Sequence, residues 1–234
     1  MNPLDSLRRA PDRAAILLDV DGTLAPIVAR PEEARVPDET RDVLRGLVAR
    51  YGLVAAVTGR PSALAREFLG VDGIEIAGVH GLELEPEAEA WRDRLQTFAR
   101  SVDWPVEDKG LSVSFHYRTH EDPERARAEL ERVAERARNE GLNARFGRMV
   151  LEVLPPVEAS KGTAVRRLLD RAGLSRALYA GDDTTDLDAF AALEELDVGV
   201  KVAVRSAEVP ALLLERANVV VDGPDDLVEL LREL

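Results

Sequence analysis

The sequence predicts an α/β fold in which a parallel-sheet core is interrupted by a smaller α+β insert. Three observations point to it. Short apolar runs alternate with amphipathic helical stretches near both ends of the chain. From about Pro86 to Leu154 that rhythm changes to helix, two strands, helix, two strands. Pro155-Pro156 then marks a hinge, after which the first rhythm returns. These breaks assign residues 1–85 and 155–234 to the core and 86–154 to the insert.

The elements follow in order. Ala14 to Val20 is a continuous apolar run, as a strand buried on both faces requires. Pro37 and Asp38 open a helix to Arg50, with Val43, Leu44, Leu47 and Val48 on one stripe. Leu53 to Val57 is a second buried strand, then come Thr58-Gly59-Arg60-Pro61 and a helix to about Leu69, and Ile74 to Ala77 is a third strand. Within the insert, Leu111 to Tyr117 alternates: Leu111, Val113 and Phe115 face one way, Ser112, Ser114 and His116 the other. Asp122-Pro123 caps a helix to about Asn139, Gly141 ends it, and Met149 to Leu154 closes the insert. Ser160 caps the next helix, with Ala164, Val165, Leu168, Leu169 and Ala172 on its stripe. Arg176 to Ala180 is a strand, Thr184 to Leu193 a helix, and Val198 to Val204 and Asn218 to Val221 are strands.

Composition sets the outer bounds. The chain has 234 residues, 45% hydrophobic with 16 glycines and 13 prolines, enough for a real core and unlike a disordered or collagenous chain. Lys and Arg number 31 against 44 Asp and Glu, a net charge of −13 with no basic block, which excludes a nucleic-acid surface. With no cysteine there is neither a disulfide framework nor a thiolate metal site. The run Ala14–Leu18 is too short for a signal peptide or a membrane span. A cytoplasmic monomer that binds no membrane is expected. Only Lys109, Lys161 and Lys201 are lysines in a chain that otherwise uses arginine, which suggests places where a compact ammonium is needed.

Chemistry concentrates at strand ends. Asp19-Val20-Asp21-Gly22-Thr23 closes the first strand, at the edge where parallel sheets bind ligands. Residues i and i+2 point the same way, so both carboxylates can face one reacting group, and Gly22 lets the chain turn. A solvated Asp-Gly turn would look the same. A calcium loop fits less well, because its glycine belongs at the sixth position. Asp182, Asp183 and Asp186 crowd the end of a later strand, and three acids so placed repel one another unless a cation sits among them. Oxygen ligands of this kind suggest Mg2+, although a helix cap would need only one of them. Thr58-Gly59 before a helix offers an anion site. Lys161 opens a helix, where a cation opposes the dipole and needs an anion nearby.

In this order, D-x-D-G-T, T-G-R, a lone lysine and G-D-D-x-x-D resemble the haloacid-dehalogenase-type phosphatases. That resemblance implies a Rossmann-like core carrying a C2-type cap domain. Ala77 to Glu83 (AGVHGLE), Lys109 to Arg118 (KGLSVSFHYR), Gly147 to Pro155 (GRMVLEVLP) and Gly181 to Phe190 (GDDTTDLDAF) are similar to trehalose-6-phosphate phosphatases. Leu154, Ser160 and Val79 depart from the family, standing where arginine, an acidic or amide residue and a small polar residue are usual.

The resemblance implies Mg2+-dependent hydrolysis of a sugar phosphate, trehalose 6-phosphate, through an aspartyl-phosphate on Asp19, with Asp21 as acid and base. Metal ligands would come from Asp19, Asp21 (by its backbone carbonyl) and Asp182, supported by Asp183 and Asp186. Thr58, Gly59, Arg60 and Lys161 would handle the phosphate. Lys109, His116, Arg118 and Glu152, with His80 and Glu83, would bind sugar. His120 lies outside the motif and is read as surface. Sucrose phosphate or a glycosyl-phosphoglycerate as substrate, a phosphomutase, and a silent phosphosugar-sensing domain are the rival readings. The last is disfavoured because Asp19, Asp21 and Lys161 are all present.

Overall fold

The structure, a computed structural model, describes residues 3–27, 34–147, 149–207 and 209–234. Arg148 of the GRMVLEVLP stretch lies outside the described residues. The chain divides into two compact units, one formed by Met1–Gly81 with Ala159–Leu234 and the other by Leu82–Glu158.

The first unit begins with helix α1 (Pro3–Arg9), followed by β1 (Ala15–Leu18), α2 (Asp38–Arg50), β2 (Leu53–Val57), α3 (Ser62–Leu69) and β3 (Glu75–Ala77). The second contains α4 (Arg92–Arg100), β4 (Glu107–Asp108), β5 (Val113–His116), α5 (Pro123–Asn139), β6 (Asn143–Gly147) and β7 (Val150–Leu154). The first unit then resumes with α6 (Lys161–Ala172), β8 (Arg176–Gly181), α7 (Asp186–Leu193), β9 (Val198–Val204), α8 (Ala211–Arg216), β10 (Val219–Val221) and α9 (Gly223–Arg232).

The expected parallel sheet forms in the order β10-β9-β8-β1-β2-β3, and every pairing in it is parallel. All four residues of β1 and all five of β2 are buried, which explains their unbroken apolar sequence. The chain leaves β1 toward β2 on one side and later returns at β8 on the other. The strand order therefore reverses at β1/β8, where a parallel sheet opens a crevice at its carboxyl edge.

Three helices were not read from the sequence. The polar N-terminal stretch holds α1, anchored by Leu4 and Leu7, which join the core cluster of Ile16, Leu178 and Val200. Two apolar residues in a seven-residue segment are too few for a clear helical period. Helix α9 is longer and buries Leu227, Val228 and Leu231, whereas six-residue α8 buries Leu213 alone.

In the second unit the antiparallel sheet runs β4-β5-β7-β6. Its apolar face, with Val113, Phe115, Leu151 and Val153, packs on Leu95 and Phe98 of α4 and on Ala126, Leu130 and Ala134 of α5. The alternation expected for Leu111–Tyr117 thus sends His116 to the opposite face, where it is exposed. Ser112 and Ser114 are nonetheless fully buried, and neither hydroxyl has a hydrogen-bond partner among the described residues.

Candidate active site

Neighbouring strands β2, β1 and β8 deliver Thr58, Asp19 and Asp182 to one edge of the sheet. Asp19 continues β1, its N–H donating to the Ala180 carbonyl at 2.9 Å. Beyond it the chain folds back, with the N–H groups of Leu24 and Ala25 both reaching the Val20 carbonyl at 2.9 and 3.0 Å. Gly22 has φ +86°, and a Cβ there would lie 2.2 Å from Asp182 Oδ2. Only glycine satisfies both conditions. Thr23 Oγ1 donates to Asp182 Oδ1 at 3.1 Å, so this turn also orients the carboxylate that follows β8.

The carboxylates of Asp19, Asp182 and Asp186 are buried, with ligand atoms all within 4.8 Å of one another. Lys161, 2% exposed, bridges Asp19 Oδ1 at 2.9 Å and Asp186 Oδ1 at 2.7 Å. Its position is set by the capping box between Ser160 and Thr163, which starts α6. Asp186 accepts further bonds from the Tyr179 hydroxyl at 2.7 Å and from the Asp182 and Asp183 N–H groups at 2.9 and 2.8 Å. Four donors on two oxygens make Asp186 the organising group of this cluster.

Burial, and then the charges of Asp186 and Asp182, outweigh Lys161 and hold the Asp19 carboxyl well above its ordinary range. Burial and Asp186 raise Asp182 to about 7. Burial works against the Lys161 ammonium, but Asp186 and Asp19 more than offset it and its pKa lies above the usual value. Desolvation, reinforced by Asp186 and Asp19, likewise raises the Tyr179 hydroxyl. Crowded, desolvated carboxylates of this kind suit a small hard dication with oxygen ligands.

Asp21 turns elsewhere. Its two oxygens accept from Arg60 Nε and Nη2, both at 2.7 Å. Thr58 is fully buried, and its hydroxyl accepts from the Arg60 N–H at 3.2 Å. The turn is clamped by backbone bonds from Val79 to the Arg60 carbonyl (3.0 Å) and from His80 to the Thr58 carbonyl (2.9 Å). Val79 and His80 adopt φ 50° and 54°, a conformation costly for a β-branched residue. The His80 ring lies so close that a Cβ on Gly59 would meet its Nε2 at 2.7 Å.

The second unit gathers Lys109, His116 and Glu152 on one patch, joined by Glu107 and Arg145. His116 Nε2 and Glu107 share a 2.8 Å hydrogen bond, and Lys109 Nζ lies 3.6 Å from both Glu107 and Glu152. Arg145 pairs with Glu152 at 2.8 Å. The hydrogen bond from His116 holds the Glu107 carboxyl below its ordinary value. Arg118 is exposed and Glu83 half-buried. His120 is exposed and stacks on Trp104, with ring centroids 5.5 Å apart.

Thr23, Tyr179, Glu107 and Arg145 were missed as site residues. Thr23 lay inside the first motif, and Glu107 stands two residues before Lys109, on the same side of an extended chain. Arg145 faces Glu152 only once β6 pairs with β7, and Tyr179 reads as core.

The family model for trehalose-phosphatase matches residues 17–104 and 92–212. A rice protein described as a probable trehalose-phosphate phosphatase 3 is 30% identical over 264 residues, covering 94% of this chain and 68% of that protein. A Mycobacterium tuberculosis protein described as an uncharacterized glycosyl hydrolase is 36% identical over 219 residues, 81% of this chain but only 16% of its own length. The crystal structure of a trehalose-6-phosphate phosphatase related protein superposes with a TM-score of 0.73 at 26% identity, covering 94% of this chain and 96% of that one. A haloacid dehalogenase-like hydrolase from Bacteroides thetaiotaomicron shares the fold at a TM-score of 0.67 and 16% identity, covering 94% of this chain and 98% of that one. Matched on both sides of the insert and through it, on a haloacid-dehalogenase-like fold, the chain belongs to the trehalose-phosphatase family.

Proposed function

We propose that the protein hydrolyses trehalose 6-phosphate to trehalose and phosphate through an aspartyl-phosphate on Asp19. The observation that carries this reading is the buried contact of Asp19 with Lys161, beside Asp182 and Asp186, at the open edge of β1. Lys161 fixes one Asp19 oxygen and leaves the other to attack phosphorus. As the Asp19 oxygen–phosphorus bond forms and the phosphorus–sugar oxygen bond breaks, Asp21 gives its proton to the sugar oxygen. Water then attacks the acyl phosphate, Asp21 takes its proton, and Asp19 is released. Lys161, the Thr58 hydroxyl and the Gly59 N–H would hold the phosphoryl oxygens.

The donor set of Asp19, the Asp21 backbone carbonyl and Asp182 fits Mg2+, which when bound neutralises phosphoryl charge. Asp186, and Asp183 through its N–H, support that group by fixing Lys161 and the β8 turn. Lys109, His116 and Glu152, with Arg118, would read the sugar, and His80 and Glu83 complete the assignment. The experiment is phosphate release from a panel of trehalose 6-phosphate, sucrose 6-phosphate, glucosyl-phosphoglycerate and glucose 6-phosphate. Trehalose 6-phosphate should lead in kcat/KM, EDTA should abolish turnover, and Mg2+ should restore it better than Ca2+, which prefers more ligands at longer distances. Preference for another substrate would overturn the sugar assignment, and full activity in excess chelator the metal.

A further inference from the structure

We propose that Arg60 is a positioning residue for proton transfer by Asp21, not a ligand of the substrate phosphate; this rests on the reading of Asp21 as the proton-transfer group. Arg60 lies in the turn after β2 and Asp21 follows β1, yet the guanidinium meets the carboxylate as a fork, Nε to Oδ2 and Nη2 to Oδ1, each 2.7 Å. The fork is held from behind. Its Cζ lies 4.1 Å from the centroid of the Phe68 ring on α3, and the Arg60 backbone is tied to Thr58 and Val79. Asp21 is meanwhile outside the group formed by Asp19, Asp182 and Asp186, whose carboxylates converge.

A carboxylate that accepts from a guanidinium on both oxygens presents no O–H. The fork therefore fits the ionised carboxylate that Asp21 would become once its proton had passed to the leaving oxygen. As the proton leaves, charge develops on Asp21, and the two Arg60 bonds strengthen with it. Interactions that tighten in the transition state raise the rate of that step. Their value depends on how much the leaving oxygen needs the proton. A sugar or other alkyl oxygen needs it fully, a nitrophenolate hardly at all. A phosphate-binding arginine would instead serve every phosphate ester alike.

The test is kcat/KM with Mg2+ for small aryl and alkyl monophosphates of graded leaving-group pKa, on the wild type, R60Q and R60K, with melting curves to confirm folding. We expect R60Q to lose about threefold on nitrophenyl phosphate and about thirtyfold or more on alkyl esters, within the range that proton transfer contributes. The dependence on leaving-group pKa thus becomes steeper. R60K, which restores the charge without the planar fork, should stay steep. Parallel losses on all esters, or a return to the wild-type slope in R60K, would overturn the proposal, as would no loss at all. A wild type inactive on every ester would instead remove the proposed function itself.

Discussion

Asp182 carries the clearest electrostatic signature at the residue scale. Burial and then Asp186 push its carboxyl from 3.8 to about 7, and Asp19 is displaced in the same direction. A folded pKa above the unfolded one means that stability is fully present below the unfolded value and is lost as pH rises through the folded value. The metal-free protein should therefore lose stability between about pH 4 and pH 7, as the Asp182 carboxyl ionises among its neighbours. Mg2+ held as proposed requires the ionised forms, so the rise in Tm that it produces should be larger at about pH 8 than at about pH 5. Thermal melts with and without Mg2+ at both pH values check this, and an equal shift at both would contradict it. The residues behind this behaviour were legible in part. Three aspartates within five positions suggest a cation site. That Asp186 is its hub, gripping Lys161 and Tyr179, depends on side-chain directions that the sequence does not carry.

At the scale of elements, the site exists because β2, β1 and β8 are neighbours. Hydrophobic runs located each of these strands, and β2 was read with its observed bounds, Leu53–Val57. Which strands lie side by side was not legible from spacing, and the convergence of Asp19, Thr58 and Lys161 was implied only by the family resemblance. The Gly22 turn joins these elements most tightly. A methyl group there would meet the Asp182 carboxylate and force a left-handed conformation costing about 1–2 kcal/mol. Gly22→Ala should lower Tm by a few degrees. It should also weaken Mg2+ binding and phosphate release by at least about tenfold, because it displaces the Asp182 carboxylate proposed to hold the metal. Calorimetric titration of Mg2+ against the variant measures this, and unchanged affinity would show that Asp182 does not depend on the turn.

On the scale of the whole molecule, the chain places a charged patch on one unit and the buried Asp19–Lys161 pair on the other. The change of rhythm near Pro86 made the second unit visible, because its helices and antiparallel strands follow a pattern unlike the core's. Glu107 and Arg145 stayed hidden because charged residues on strands usually mark solvated faces. If the patch and Arg118 read sugar, His116→Ala, Arg118→Ala and Glu152→Ala should each cut kcat/KM for trehalose 6-phosphate by roughly tenfold or more. Turnover of a small aryl phosphate should change little. Equal losses on both substrates would mean that these residues hold their own unit together. The central claim is covalent catalysis by Asp19, and its direct measurement is an acid quench of the enzyme during turnover of trehalose 6-phosphate with Mg2+, followed by peptide mapping. A phosphoryl group on the peptide carrying Asp19, absent in Asp19→Asn along with turnover, is the predicted result. An unmodified Asp19 peptide under conditions that trap acyl phosphates, or Asp19→Asn retaining as much as about a tenth of the wild-type rate, would contradict it.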